Sequence, residues 1–239
     1  MGFARIAVLA IAFLAATPGV TFAAGGQGEA TREERSAGMV TRAFDVDVVV
    51  QKDNSFLVTE TITVDFLEYS HGIYRNFPVR GEAVQQYEGK TVTMGARMEI
   101  EGVTARVKDR HGNRADAPVK LSRSGRDLTI RVGDEDITQY GSTTYTITYH
   151  ARLYDDKIPD YDLIYWNALP TDWETPIRSS TVTFTIPGAG TDVDGAEFIA
   201  GLKGQADTDR FGTQTVIDSE KDAVVITATA KDALATGKA

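Results

Sequence analysis

The most constraining feature of this sequence is a repeated alternation of apolar and polar residues. Apolar side chains occupy every second position of 44–50, and the range 56–66 repeats the pattern with threonines between most of the apolar residues. A period of two places successive side chains on opposite faces of a β-strand. Turn-forming residues occupy 52–55 between the two ranges, so the sequence predicts a β-hairpin.

Shorter segments of the same kind follow along the chain. Strand-like patterns occupy 98–107, 119–122, 128–132, 143–151, 179–186, 197–200, 214–217 and 223–230. Turn residues separate these segments, and no window of helical length carries a helical apolar stripe. The sequence therefore predicts an all-β fold, an antiparallel β-sandwich of immunoglobulin-like architecture over 42–230, with a loose tail over 231–239.

The first residues have the character of an export signal. Arg5 supplies a positive charge, 6–16 is an uncharged apolar run, and Thr21 and Ala23 precede a cleavage site before Ala24. The run is short for a membrane span, so we predict a cleaved signal peptide over 1–23, with an uncleaved anchor as the alternative. Residues 24–41 are Gly-rich and then charged, which predicts a flexible leader with at most a marginal helix near Glu33. The body is expected to be extracytoplasmic: periplasmic, secreted or associated with the cell envelope.

Composition excludes several classes of protein. Hydrophobic residues make up 42% of the chain, which is enough for a core. The formal net charge of −9 argues against nucleic acid and against a surface that adheres to anionic lipid. The chain has no cysteine, which excludes disulfides, thiol catalysis and thiolate metal sites.

Two segments stand out from this β-rich background. The range 161–177 (YDLIYWNALPTDWETPI) holds both tryptophans, and 71–78 (HGIYRNFP) is predicted to be a loop between Gly72 and Pro78. Their aromatic residues either fill the core or form a platform for a sugar or peptide, in which Tyr161, Trp166 and Trp173 stack on the ligand. The candidate binding residues are Tyr74, Arg75, Tyr165, Trp166, Asn167, Asp172 and Trp173.

Glu60 breaks the alternation of its strand. It falls in phase with the apolar residues, and a buried carboxylate is costly unless it is paired and hydrogen-bonded. Arg75 is the candidate partner, because a guanidinium can meet a carboxylate through two hydrogen bonds. We therefore predict a structural ion pair between Glu60 and Arg75.

Catalytic and metal signatures are weak. Glu60, Asp172 and Glu174 are carboxylates that a glycoside hydrolase could use, although sequence does not give their separation. The three histidines lack the spacing of a metal site, and the acidic stretches 134–136 and 155–162 do not match a calcium loop. No nucleophile elbow or phosphate loop is present, so no enzyme activity, cofactor or metal is expected.

The order of these segments resembles a known family. VTETITVDF, HGIYRNFP, IRVGD, TTYTITYHA and LIYWNALPTDWETPI follow one another as in the N-terminal extracytoplasmic domain of the DUF2207 family of predicted bacterial and archaeal membrane proteins, best over 42–187. The resemblance implies a signal peptide, a β-sandwich outside the membrane and no established activity. The positions that carry it are Glu60, His71, Gly72, Tyr74, Arg75, Pro78, Tyr165, Trp166, Asn167, Asp172 and Trp173.

The resemblance and the residues together predict a non-enzymatic module that binds or scaffolds at the cell envelope. Its partner would be an envelope protein or a glycan, and nucleic acid is not expected. A carbohydrate-binding module and an envelope glycoside hydrolase are the alternatives. Members of the family usually continue into transmembrane helices, whereas this sequence has no apolar span beyond the signal segment, which leaves membrane association open.

Overall fold

The structure is a computed structural model. It describes residues 5–13, 28–51, 53, 55–87, 90–153, 161–170, 172–188, 193–201, 208–220 and 222–235, with the backbone alone for 5–13, 82–96, 153, 161–166, 193–201 and 208. One short α-helix, α1 (Arg32–Ala37), and a 3₁₀ turn (Thr208–Arg210) accompany fifteen strands in this part of the chain. The strands are β1 (Arg5–Phe13), β2 (Met39–Val50), β3 (Ser55–Ser70), β4 (Ile73–Pro78), β5 (Arg80–Tyr87), β6 (Lys90–Lys108), β7 (Arg114–Asp116), β8 (Val119–Ser124), β9 (Asp127–Val132), β10 (Gln139–Leu153), β11 (Tyr161–Trp166), β12 (Thr181–Pro187), β13 (Val193–Gly201), β14 (Phe211–Asp218) and β15 (Ala223–Ala230).

A large sheet organises the fold. Nine strands form it, in the order β14-β15-β12-β2-β3-β10-β6-β5 with β7 paired to β6. Two three-stranded sheets accompany it, β4-β9-β8 and β11-β1-β13. The chain is therefore mostly β, as predicted, but the prediction of purely antiparallel pairing is wrong. The pair β12–β2 is parallel, and β1 runs parallel to both of its neighbours.

The predicted hairpin is the centre of the large sheet. β2 and β3 pair antiparallel, and β3 pairs on its other side with β10. Along β3 the apolar residues face a continuous core, whereas threonines such as Thr59 and Thr63 pair with threonines of β10 on the opposite face. The alternation in the sequence thus separates a buried face from a hydroxyl-rich one.

The core lies between the large sheet and the β4-β9-β8 sheet. Phe77 of β4 meets Tyr149 of β10 edge to face, with ring centroids 5.4 Å apart. Leu128 and Ile130 of β9 are buried in the same cluster. The segment 71–78, which we predicted to be a loop, is therefore mostly the strand β4, because Ile73, Arg75 and Phe77 alternate inward and pair with β9.

Two glycines allow the backbone before β4 and the backbone after β9 to approach each other closely at one end of this small sheet. Gly72 has φ +134°, and a Cβ added to it would lie 2.0 Å from the carbonyl oxygen of Val132. Gly133 has φ +141°, and its added Cβ would lie 2.0 Å from the carbonyl oxygen of His71. Only glycine, which has no Cβ, fits where these two backbone segments approach so closely.

The leader is ordered where the structure describes it, which corrects the prediction of a flexible segment through residue 41. Thr31 caps α1 in a capping box with Glu34, and Gly38 ends the helix in the left-handed conformation. Glu34 is fully buried and receives hydrogen bonds from Arg178 at 2.9 and 2.7 Å. Arg178 also donates to the carbonyl oxygens of Gly28 and Glu29, so one arginine holds both the helix and the segment before it.

The predicted signal segment contains a strand. β1 lies between β11 and β13, and all three strands run parallel. Residues 6–13 of this strand are apolar and uncharged, and such a stretch can add to a sheet in this way. The cleavage site predicted before Ala24 lies outside the described residues, as do the final four residues of the predicted tail.

Candidate functional site

The two distinctive segments meet at the surface through a short chain of hydrogen bonds. Asn76 of β4 donates its side-chain amide to Asp172 Oδ2 at 2.8 Å. Thr129 Oγ1 on the adjacent β9 donates to Asn76 Oδ1 at 2.7 Å. Asn76 and Thr129 are cross-strand neighbours, so the sheet register itself places both groups together. We call Tyr74, Asn76, Thr129 and Asp172 the junction surface.

Tyr74 supplies the aromatic part of this surface. Inward residues alternate with outward ones along β4, so Tyr74 and Asn76 share the solvent-facing side, and the Tyr74 side chain is exposed. Its cross-strand neighbour is Arg131, whose guanidinium binds Glu135. An exposed ring beside fixed amide, hydroxyl and carboxylate groups can stack on a ligand and hydrogen-bond to it.

Arg75, between these two outward residues, points into the core. Its Nε donates to both carboxylate oxygens of Glu60 at 3.0 Å, and its Nη1 donates to the carbonyl oxygen of Asn76 at 2.7 Å. The guanidinium also lies 4.0 Å from the ring centroid of Phe77. The structure thus contains the ion pair that the sequence predicts. It excludes Arg75 as a surface contact, because the residue is 2% exposed.

The carboxylate of Glu60 has a third partner. Tyr149 on β10 donates its hydroxyl to Glu60 Oε1 at 2.9 Å. Burial raises the pKa of Glu60, and the Arg75 guanidinium and the Tyr149 hydroxyl oppose that rise. The same burial, together with the neighbouring carboxylate, raises the pKa of Tyr149. The role considered for Glu60 in a hydrolase is therefore wrong, because this carboxylate is fully buried and occupied.

Trp173 is also a core residue, which contradicts its predicted place in an exposed platform. Its ring meets Phe44 edge to face at a centroid distance of 5.2 Å. The indole Nε1 donates to Thr41 Oγ1 at 2.7 Å, and Thr41 shares a further hydrogen bond with Thr175. A buried indole needs such a partner for its N–H group, and β2 provides it.

The structure describes the side chains of only some of the remaining residues predicted in 161–177. Asn167 is partly buried, and its Oδ1 is a buried atom without a hydrogen-bond partner among the described groups. The side chains of Tyr161, Tyr165 and Trp166 lie outside the described part of the structure, although their backbone forms β11. Asp172 and Glu174 are exposed on either side of Trp173.

Sequence reasoning missed Asn76 and Thr129 as site residues. Asn76 lies in the distinctive segment 71–78, and Thr129 lies in a predicted strand. Neither was recognised, because asparagine and threonine occur at many positions without a functional role. The available signal was the outward phase of Asn76, one residue after the inward Arg75 and two after Tyr74. Within the described residues, no three metal-ligating side chains of His, Asp or Glu gather into a group.

Fold and site together define a mostly β domain whose distinctive residues divide between a buried ion-pair core and a small polar surface with one exposed tyrosine. The sequence profile of the DUF2207 family, described as the N-terminal domain of a predicted membrane protein, matches residues 41–233. The chain therefore belongs to the DUF2207 family. In the described residues, no helix has both the length and the apolar character to cross a bilayer.

Other comparisons give distant likenesses. No curated protein matches the sequence. An M1 zinc metallopeptidase from Deinococcus radiodurans, an E323A mutant, is 13% identical with a TM-score of 0.39, over 81% of this chain and 39% of that one. Yeast LTA4 hydrolase is 10% identical with a TM-score of 0.38, over 82% of this chain and 29% of that one. The chain thus spans well under half the length of these enzymes, and likeness at this level carries no argument about activity.

Proposed function

We propose that this chain is a non-enzymatic, extracytoplasmic module that binds or scaffolds at the cell envelope, and that the junction surface is its contact site. Face-to-face packing of the large sheet against β4-β9-β8 supports a sandwich architecture of immunoglobulin-like type. The apolar run after Arg5 and the small residues before Ala24 support export by a cleaved signal peptide.

The observation that carries the proposal is the joining of two distant segments at one exposed point. Asp172 and Asn76 are 96 positions apart in the chain and share a 2.8 Å hydrogen bond at the surface. Phe77 and Trp173, one from each segment, are buried in the core, so the fold fixes the backbone that presents Tyr74 and Asp172. Rigid presentation lowers the entropy cost of binding.

Carbohydrate is the second candidate ligand. An exposed tyrosine beside an amide, a hydroxyl and a carboxylate matches the groups that a sugar ring offers, an apolar face edged with hydroxyls.

Affinity capture from solubilised envelope tests the proposal. The wild-type chain is compared with a Tyr74→Ala, Asp172→Ala double variant and with an Ile217→Ala, Glu220→Ala control, which removes an exposed apolar and an acidic residue from the β14 end. A protein or glycan that the wild type and the control retain, and that the junction variant loses while melting normally, supports the site. Identical bound material from all three proteins would overturn it. An oligosaccharide array with the same proteins identifies the ligand class.

A further inference from the structure

A second exposed surface lies at the end of the large sheet where β3 finishes and β10 begins. Eight large hydrophobic residues are exposed in the described chain, and four of them lie here. Their exposed fractions are 36% for Leu67, 76% for Tyr69, 57% for Ile137 and 42% for Tyr140. We call these four residues the tyrosine patch.

The patch is built by the sheet register. Ser70 pairs with Gln139, and the rings of Tyr69 and Tyr140 lie 5.3 Å apart. Leu67 is two positions before Tyr69 on β3, which places both on the same face. The Arg110 guanidinium lies 5.5 Å from the centroid of the Tyr140 ring. Tyrosine is amphipathic, and an arginine stem can cover apolar surface while its head stays in water.

The C-terminal end of the described chain lies in the same half of the large sheet. Leu234 bridges to Ile177, Ile177 bridges to Thr41, and Thr41 is paired with Val64, six positions before β3 ends at Ser70. The family describes N-terminal domains of predicted membrane proteins, and its match ends at residue 233. A chain that continues from such a domain toward a bilayer would leave from the half of the sheet that carries the patch.

Charges near the patch have both signs. Lys108, Arg110 and Arg114 lie on or beside the β6–β7 turn, and Glu68, Asp134 and Asp136 lie on the segments that carry the patch residues. This mixture does not suit a polyanion, which needs a basic surface. It suits the interfacial layer of a bilayer, where tyrosines concentrate at the level of the headgroups.

We infer that the tyrosine patch rests on the headgroup region of a lipid bilayer and orients the domain with this end toward the membrane. The inference deepens the envelope location proposed above and rests on it. It uses residues separate from the junction surface, so the experiments distinguish a failure of the patch from a failure of the junction surface.

Cosedimentation with phosphatidylcholine vesicles tests the inference, using the protein in the form that the envelope fraction contains. A Tyr69→Ser, Tyr140→Ser variant is compared with the wild type and with a Val216→Ser, Ile217→Ser control, which removes two exposed apolar residues from β14. We expect the wild type and the control to bind alike and the patch variant to bind at least fivefold less, with unchanged melting.

Four results would overturn the inference. The first is no binding by the wild type, and the second is an equal loss in both variants. The third is binding that requires phosphatidylglycerol and disappears in high salt, because it would indicate a charge-driven contact elsewhere. A concentration-dependent dimer that the patch variant abolishes would assign the patch to a second copy of the chain, and would also overturn it.

A gain-of-signal measurement avoids dependence on a loss of binding. In a Tyr140→Trp variant, brominated phosphatidylcholine should quench the new indole, whereas the indole of a Val216→Trp variant should be unaffected. Both variants carry the same native tryptophans, so the background is matched. Equal quenching at the two positions contradicts the proposed orientation.

Discussion

At the residue scale, Glu60 shows how a single exception in a pattern can carry structural information. A carboxylate in the apolar phase of β3 requires a partner, and Arg75 provides it from the opposing sheet. The pairing was predictable from the cost of a buried charge. The hydrogen bond from Tyr149 to Glu60 could not be predicted. Nothing in an alternating strand distinguishes a tyrosine that only packs from one that also donates a hydrogen bond.

Removing one partner of this pair should be costly. We expect Glu60→Gln to lower the free energy of unfolding by about 3 kcal/mol, because it leaves the buried Arg75 charge uncompensated. Arg75→Met should cost a similar amount at neutral pH, and the double variant should cost less than the sum of the two. Urea denaturation of all four proteins measures this coupling.

The exposed pair between Arg152 and Asp53 is a matched control. Its side chains are 53% and 57% exposed, so Arg152→Met should cost much less stability than either core substitution. If the losses in free energy of unfolding for Glu60→Gln and Arg75→Met simply add in the double variant, the proposed buried network is contradicted.

The loss in the Arg75→Met variant should also depend on pH. Without the guanidinium, burial raises the pKa of Glu60 unopposed by that positive charge. When the pKa of a carboxyl is higher in the folded state than in the unfolded state, the folded protein loses stability as pH rises. The loss begins near the unfolded pKa, about 4.3, and continues through the folded pKa. The variant should therefore be destabilised less at pH 4 than at pH 7, and the opposite trend would contradict this argument.

At the element scale, the sequence predicted strands better than the segments between them. Strong alternation identified β2, β3, β10 and β12, because side-chain burial on one face of a sheet requires that period. The segment that contains β4 was predicted to be a loop, and the leader was predicted to be flexible with at most a marginal helix where α1 lies. Their order depends on contacts across long sequence separations, such as Glu34 with Arg178, which local patterns do not encode.

We predict that α1 detaches from the sheet at low pH. Burial acts to raise the pKa of Glu34, but hydrogen bonds from Arg178 and Thr31 and the charge of Arg178 lower it below its usual value. A lowered folded pKa gives stability that is present above the unfolded value and is lost as pH falls through the folded one. We therefore expect protection of the 31–38 amides from hydrogen exchange, corrected for intrinsic rates, to decrease below about pH 4.

A substitution separates this effect from general acid unfolding. Glu34→Gln should reduce the same protection roughly tenfold or more at pH 7, because Arg178 then lacks its charged partner. The neighbouring Glu29→Gln is the control, since the Glu29 side chain is exposed and the substitution keeps the carbonyl oxygen that accepts a hydrogen bond from Arg178. Protection unchanged by Glu34→Gln would contradict the role of this ion pair.

At the scale of the whole molecule, net charge alone does not predict which surfaces can contact a membrane. A total of −9 argues against adhesion to anionic lipid, yet it does not describe where apolar and charged groups lie. The structure places four of the exposed large hydrophobics at one end of the large sheet, in the same half as the described C-terminal end. Position in three dimensions, which depends on strand order and register, decides which surfaces a domain offers.

The intact mass of the protein recovered from the extracytoplasmic fraction tests the central claim, an exported envelope module, most directly. We predict the mass of a chain that begins at Ala24, with residues 1–23 removed, so that the exported form lacks the strand β1. A full-length chain retained in the cytoplasm, with the amides of 5–13 protected from exchange, would contradict the claim. That result would make β1 a permanent strand of the fold.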